Sequence, residues 1–232
     1  KGIIQSSTMP FGGTWTVPDT LSRPVRDAEN LQIAIDADGN ATAVWTEFNG
    51  KKWIVRSSAK PFGGTWQEVP DTLTFGGDNP QIAIDAHGNI TAVWQKYETT
   101  HNSIQSSTKP LGGIWGAPDT LSCPNQDAGN PQIVVNASGC VTAIWRANDG
   151  NNRIIQASSR PFGGSWQKTP DNLSQSDQDA HHARIAIDTN GTITAVWNGF
   201  NGRNWAIQSS TKSLGSPWSI PDNLSQPGQD AD

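Results

Sequence analysis

The chain has 232 residues, of which 34% are hydrophobic and 16% are charged, with a formal net charge of −5. The charges are spread along the sequence without a cluster of Lys and Arg, which argues against a nucleic-acid partner. No apolar run is long enough to span a membrane. The low hydrophobic content is offset by 11 Trp, and 23 Gly and 15 Pro suit many short strands joined by tight turns.

Two sequence patterns recur with a period of about 50 residues. One is a Gly-Gly-x-Trp segment or a close variant of it, and the other reads Thr-Ala-Val-Trp or Thr-Ala-Ile-Trp. The first pattern contains Trp15, Trp66, Trp115, Trp166 and Trp218, and the second contains Trp45, Trp94, Trp145 and Trp197. Because two independent patterns share one period, we predict a tandem repeat.

Within one repeat the pattern predicts four short strands. Strand a covers residues 32–36, strand b 42–45, strand c 53–57 and strand d 65–69, the last ending at Pro70. Runs of this length, bounded by Gly, Pro, Asn and Asp, are typical of β-hairpins. No segment has helical periodicity over a useful length.

Four antiparallel strands per repeat predict an all-β fold, a β-propeller of four-stranded blades. A β-solenoid and a split pair of β-sandwiches are the alternatives. We predict a single domain over residues 1–232, with repeats at about 1–27 (strands c and d only), 28–77, 78–126, 127–178 and 179–232. Four complete repeats and a half repeat would fill a ring of four or five positions. The incomplete blade leaves two further alternatives open, which are self-association through its edge and a structural segment of a longer, repeat-containing surface protein.

The turn between strands c and d resembles the Asp box, the bacterial neuraminidase repeat of sialidase-like propellers. The matching stretches include SSTMPFGGTW at 6–15, SSAKPFGGTW at 57–66 and SSTKPLGGIW at 106–115. The glycines and the Trp match that motif, whereas its Asp is replaced by Pro-Phe or Pro-Leu. This resemblance implies a propeller in which these Trp side chains lie between blades. The repeat is also similar to tandem-repeat propellers of bacterial secreted proteins, which implies a secreted or cell-surface location.

The sequence does not support a catalytic, metal or cofactor site. By the same resemblance, a sialidase-like glycoside hydrolase would need an arginine cluster, a Tyr nucleophile with a Glu partner and an acidic acid/base. The chain has a single Tyr, Tyr97, beside Glu98, and its arginines fall at different points of the repeat. The Gly of the 36–40 turn recurs in the other repeats but its second acid, Asp38, does not, so no metal is predicted. We therefore predict a protein that is not an enzyme and needs no cofactor, with the hydrolase as the alternative. The recurring acids Asp27, Asp78, Asp127 and Asp179 are expected to bind turn backbone.

A binding function is expected where the repeats differ, and two such positions flank the b–c loop. The candidates are Phe48, Trp53, Tyr97, Asn102, Arg153, Phe200 and Trp205. Aromatic faces beside amide and guanidinium donors suit a sugar ring, although packing at the blade edge would also account for them. The predicted function is a lectin-like, carbohydrate-binding or protein-binding propeller with several weak sites.

Overall fold

The computed structural model describes residues 2–24, 26–200, 202–226 and 230–231. All regular elements of this part of the chain are β-strands, arranged in one two-stranded and four four-stranded antiparallel sheets. Within it, no helix is long and apolar enough to cross a membrane. Each four-stranded sheet uses four consecutive strands, a to d, which is the blade of a β-propeller. The predicted all-β propeller fold is confirmed.

The strands follow one order in every sheet. The N-terminal half blade contains β1 (Gln5–Ser6) and β2 (Asp19–Thr20), which are its strands c and d. Blade 1 contains β3 (Ala28–Ile35), β4 (Ala41–Phe48), β5 (Trp53–Lys60) and β6 (Asp71–Phe75). Blade 2 contains β7 (Gly77–Ile84), β8 (Ile90–Tyr97), β9 (Asn102–Lys109) and β10 (Asp119–Thr120). Blade 3 contains β11 (Ala128–Val135), β12 (Val141–Asn148), β13 (Arg153–Arg160) and β14 (Asp171–Asn172). Blade 4 contains β15 (Asp179–Ile187), β16 (Ile193–Phe200), β17 (Trp205–Lys212) and β18 (Asp222–Asn223).

Strand a is longer than predicted because its pairing with strand b continues on the far side of a β-bulge in every complete blade. The register with strand b shifts between Glu29 and Gln32 in blade 1, and at the equivalent place in the other three. The bulged residue has a positive φ, and it is Asn30, Asn79, Asn130 or His182. Asn tolerates this left-handed conformation better than most residues. His182 is therefore the exception among the four bulges, and it places an imidazole where the other blades have an amide.

The predicted position of strand d is wrong. Residues 65–69 form no strand, and strand d begins after Pro70, where Asp71 pairs with Ser57. The chain leaves the sheet after the c–d turn and places Trp66 against the preceding sheet. Pro70 cannot donate a backbone hydrogen bond, so the pairing resumes only beyond it.

Four clusters of buried apolar residues lie in the described part of the chain, one between each pair of successive sheets. Between blades 1 and 2, for example, Val55 and Leu73 face Trp94, and Trp115 packs against them. The Trp of strand b is at most 1% exposed in every blade. The predicted position between blades is confirmed for the c–d Trp of the four complete blades, which are Trp66, Trp115, Trp166 and Trp218. It is wrong for Trp15, which is 67% exposed.

Candidate functional site

The predicted site residues lie at one end of the blades, which we call the b–c rim because it carries the b–c loops and the neighbouring d–a loops. The b–c loops are held by their own side chains. In blade 1, Asn49 Oδ1 accepts hydrogen bonds from the backbone N–H groups of Lys51 and Lys52, both at 2.9 Å. Asp149 does the same in blade 3. These short, internally bonded loops fix the residues on either side as the last pair of the strand ladder.

The seven candidate residues occupy four equivalent places on the rim, one on each complete blade. Phe48 pairs with Trp53, and their ring centroids are 5.2 Å apart. Phe200 pairs with Trp205 at 5.1 Å. In the other two blades, Tyr97 pairs with Asn102 and Asn148 pairs with Arg153. Blades 1 and 4 therefore present aromatic pairs, whereas blades 2 and 3 present mixed or polar ones.

The rim of blade 4 contains a third ring that sequence reasoning missed. The His181 ring lies 5.1 Å from the Trp205 ring, next to the Phe200–Trp205 pair. Adjacent His residues in a strand would point to opposite faces, but the bulge at His182 brings the two imidazoles to 6.0 Å. Burial lowers the pKa of His181, and the nearby Arg153 lowers that pKa further. The positive charge of Arg153 on blade 3 therefore lowers the pKa of a ring in the aromatic cluster of blade 4.

Among the described residues, three of the recurring acids bind backbone at or just before the start of strand c, and not the backbone of their own turns as predicted. Asp27, Asp127 and Asp179 accept a hydrogen bond from the backbone N–H of Gly2, Asn102 and Arg153, at 3.0, 2.9 and 2.8 Å respectively. Asp230 does the same for Trp205 at 2.9 Å. These bonds fix the backbone of three candidate residues and leave their side chains free to contact a ligand.

Asp78 departs from this pattern. It accepts hydrogen bonds from the hydroxyl of Tyr97 at 3.0 Å, from the hydroxyl of Thr46 at 2.9 Å and from the Asn30 amide at 2.8 Å. Burial and the nearby Asp78 raise the pKa of Tyr97 to about 12. Glu98, the sequence neighbour of Tyr97, instead accepts a bond from Ser103 at 3.2 Å. Tyr97 is therefore a protonated phenol at neutral pH, and its acidic partner lies on strand a.

A groove of about 540 Å³ runs along the rim between blades 2 and 3. Its walls are the b–c loops of these blades and the d–a loop between them. Most of the lining is polar and includes His101, Asn125, Asn148 and Asp149. The groove reaches the Asn148–Arg153 pair, so an extended ligand lying in it would meet the polar position of blade 3.

A buried ionic cluster ties the first d–a loop to blade 1. The Glu47 side chain is 1% exposed, and its Oε1 lies 2.9 Å from Arg26 and 3.5 Å from Arg56. Burial lowers the pKa of Arg56, and Glu47 opposes that shift. The places equivalent to Glu47 hold Lys96, Ala147 and Gly199, so this cluster is specific to blade 1. The two guanidinium groups balance the charge of Glu47, which allows a carboxylate to be buried there.

Metal ligands do not cluster on the described part of the rim. Among the described residues, no group of three His, Cys, Asp or Glu side chains is arranged to hold a metal ion. Clefts of about 280 to 370 Å³ recur at the opposite end, between the c–d turns of successive blades. Since these clefts repeat with the blades, they follow from the architecture, whereas the rim changes from blade to blade.

Comparison with known proteins shows what fold the chain shares. No family model matches the sequence, and no curated protein matches it. Among solved structures, the chain is similar to an ulvan lyase of polysaccharide lyase family 25, with a TM-score of 0.60 and 11% identity over 86% of this chain and 59% of the lyase. It is also similar to a glycoside hydrolase family 93 α-L-arabinofuranosidase of Fusarium graminearum, with a TM-score of 0.54 and 12% identity over 85% of this chain and 65% of that enzyme. A Hadza microbial sialidase has a TM-score of 0.57 and 11% identity, over 83% of this chain and 46% of the sialidase.

The chain thus has the β-propeller fold of proteins that act on carbohydrates, and it spans about 60% of the length of the lyase. At these identities the similarity concerns the fold alone. The resemblance of the c–d turns to the Asp box stays a prediction.

Proposed function

We propose that this protein is a non-catalytic, carbohydrate-binding β-propeller whose binding sites lie on the b–c rim. The observation that carries the proposal is the cluster of Phe200, Trp205 and His181 on blade 4, next to Arg153 of blade 3. Aromatic faces stack on the C–H face of a sugar ring, and the guanidinium donates to hydroxyl or acidic groups. The similarity in fold to polysaccharide lyases and glycosidases supports a carbohydrate ligand.

The differences between blades predict unequal sites. Blade 1 offers the Phe48–Trp53 pair without a His, and its b–c loop adds Lys51 and Lys52. Blade 2 offers Tyr97 beside Asn102, next to the polar groove. We expect each site to be weak alone, and a polysaccharide that spans several blades to bind more tightly than a short oligosaccharide.

A glycan array followed by calorimetric titration tests this proposal. We expect Trp205→Ala to lower affinity for the bound glycan at least about tenfold, which corresponds to ~1.4 kcal/mol. Phe11→Ala is the matched control, since Phe11 is a fully exposed aromatic residue on a c–d turn at the other end of the half blade. Equal loss in both variants, or no binding to any glycan, would contradict the proposal.

A glycoside hydrolase is the second candidate, favoured by the hydrogen bond between Tyr97 and Asp78. In that reaction Tyr97 would act as the nucleophile and Asp78 would accept its proton. Two observations oppose it, namely the raised pKa of Tyr97 and the several donors that already hold the Asp78 carboxylate. Incubation with sialosides, arabinan and ulvan, followed by reducing-end and unsaturated-uronate assays, separates the two functions. Turnover that disappears in Tyr97→Phe would establish the enzyme.

A further inference from the structure

The three clefts at the c–d end share one plan. Each lies between two successive complete blades and contains the cation that ends strand c of the second blade. That cation is Lys109 between blades 1 and 2, Arg160 between blades 2 and 3, and Lys212 between blades 3 and 4. The two lysines each lie 3.7 Å from the aspartate that begins strand d of the preceding blade, which is Asp71 or Asp171. Protein carboxylates therefore balance the charges of both lysines.

Arg160 departs from this plan. The equivalent aspartate, Asp119, is exposed, and Arg160 forms no ion pair with any carboxylate of the described residues. One guanidinium nitrogen of Arg160 donates to Thr91 Oγ1 at 3.1 Å, and the group lies 5.2 Å from the centre of the Trp166 ring. Burial lowers the pKa of Arg160, as expected for a cation partly removed from water. Since buried charges in proteins are normally paired, this guanidinium lacks the anion that its setting requires.

Asp85 is the carboxylate that lines the same cleft, and its own turn already occupies it. Its Oδ1 accepts hydrogen bonds from the backbone N–H groups of His87 and Asn89 at 2.8 and 2.9 Å, and its Oδ2 accepts from the Asn89 amide at 2.9 Å. Blade 1 has the same bonds at the equivalent turn, where no such arginine is present. Asp85 therefore stabilises the a–b turn and is not the missing partner of Arg160.

The rest of this cleft, which encloses about 280 Å³, is largely apolar. The apolar residues of its walls are Ala83, Pro110, Val135, Val141 and Phe162. Phe162 is aromatic, whereas the other two clefts have Leu111 and Leu214 at its place. Its ring packs on Gly139, where a Cβ atom would lie 2.6 Å from it, and is 4.9 Å from the ring of His87. These contacts fix an aromatic wall in the one cleft of the three that has an arginine.

We propose that the cleft between blades 2 and 3 binds a small organic acid with an apolar body, whose carboxylate pairs with Arg160. A carboxylate can accept two parallel N–H bonds from one guanidinium, so it would use donors that no described protein group uses. The body of the ligand would lie against Phe162, Val135 and Val141. A cleft of about 280 Å³ is at the small end of ligand pockets, so we expect a body of about one ring. This site is at the opposite end of the blades from the b–c rim and does not depend on carbohydrate binding there.

Titration of the whole 232-residue chain with benzoate, followed by nitrogen–proton correlation NMR, tests this site. We expect saturable shifts of the amide signals of Thr91, Gly139 and Gly163, which line the cleft, with a Kd of about 1 mM. Benzamide has nearly the same shape without the charge, and it should bind at least about tenfold more weakly, because it forms no charged pair with the guanidinium. Glucuronate, an acid with a polar body, should also bind more weakly than benzoate, because the walls of the cleft are apolar.

Two pairs of matched variants locate the ligand. Arg160→Met should weaken benzoate binding at least about tenfold, whereas Lys212→Met, at the equivalent place in the next cleft, should leave it unchanged. Phe162→Ala should weaken binding about fivefold, whereas Phe62→Ala, whose ring packs on Gly39 in the same way, should leave it unchanged. Circular dichroism checks that every variant retains its strands.

Several results would overturn the proposal. They are equal binding of benzoate by the Arg160→Met and Lys212→Met chains, equal binding of benzamide and benzoate, and tighter binding of glucuronate than of benzoate. Shifts confined to the b–c rim, or no saturable shift at about 10 mM benzoate, would overturn it as well. The comparison of benzoate with benzamide uses the unaltered chain, so it decides the question even if Arg160→Met does not fold.

Discussion

Blade 3 and the N-terminal half blade share the sequences Ile-Ile-Gln and Pro-Phe-Gly-Gly-x-Trp at equivalent places, yet they bury these residues differently. Trp166 is 9% exposed and Trp15 is 67% exposed, although both follow the same Pro-Phe-Gly-Gly turn. Trp166 lies against the preceding blade, and Trp15 has no sheet on that side among the described residues. The burial of a repeat position is thus decided by the neighbouring repeat. Stability in such an array comes largely from nearest-neighbour interfaces.

The largest expected effect compares an interior Trp with the exposed one. Trp94→Ala should lower the free energy of unfolding by about 3–5 kcal/mol, because it empties the interface between blades 1 and 2. Trp15→Ala should change it by less than about 0.5 kcal/mol. Urea unfolding of both variants measures the difference. Similar losses would mean that Trp15 is covered in solution.

The second prediction concerns the ionic cluster that joins the first d–a loop to blade 1. Glu47→Ala should cost about 3 kcal/mol or more, because it leaves Arg56 buried without its carboxylate partner. Glu68→Ala, at an exposed site of the same blade, is the control and should be nearly neutral. Thermal unfolding compares the two. If Glu47→Ala is as stable as the control, the cluster has no structural role.

The third prediction compares one hydrogen bond in an interior blade and in the last blade. Ser122 Oγ accepts a bond from the N–H of Ile104 at 3.0 Å in a buried site, and Ser225 does so for Ile207 at 3.1 Å in a less buried one. Ser122→Ala should cost about 1–2 kcal/mol, because it leaves a buried N–H without a partner. Ser225→Ala should cost less than about 1 kcal/mol, because water can replace the hydroxyl. Urea unfolding that ranked the two variants in the opposite order would contradict this gradient.

The smallest expected effect is a dependence of stability on pH. Burial and Arg153 lower the pKa of His181 in the folded chain, so below about pH 6.5 the unfolded chain binds more protons at this residue. The stability contributed by the neutral imidazole is present above that pH and is lost as the pH falls through the folded pKa. His181→Gln should flatten this part of the curve of melting temperature against pH.

His182→Asn is the matched control for that experiment. It places at the bulge of blade 4 the residue that the other three blades have there. Most of the pH dependence should persist in it. If His182→Asn flattens the curve and His181→Gln does not, the titrating group has been assigned to the wrong His.

The blades could be predicted from the sequence because their signals are local and repeated. The period of the two Trp patterns and the hairpin turns led to the four-stranded unit and to the two variable positions that flank the b–c loop. The structure pairs these positions, as Phe48 with Trp53 and Phe200 with Trp205. Strand d could not be placed in this way. Residues 65–69 lie between a Gly-Gly turn and Pro70, as a short strand would, but the chain uses them to carry Trp66 to the preceding sheet.

The charged parts of the candidate site depend on residues that are distant in sequence. Glu47 is paired with Arg26 from the preceding loop, and Tyr97 with Asp78 across the a–b hairpin. The first pair depends on how the loop before strand a folds onto strand b, and the second on how strands a and b are aligned around the bulge. The ring of His181 beside Trp205 has the same origin, so sequence spacing alone could not reveal it.

The position of the Trp residues at contacts between blades has a consequence for how such a protein can change in evolution. Blades 1 to 3 each carry both halves of the contact, an apolar face that receives a Trp and the Trp that fills the face before it. Duplication of one repeat within the array would therefore create a complete new contact without altering the others. Deletion of one repeat would bring together an apolar face and a Trp that are complementary in the same way. The contacts between blades therefore set no particular number of repeats.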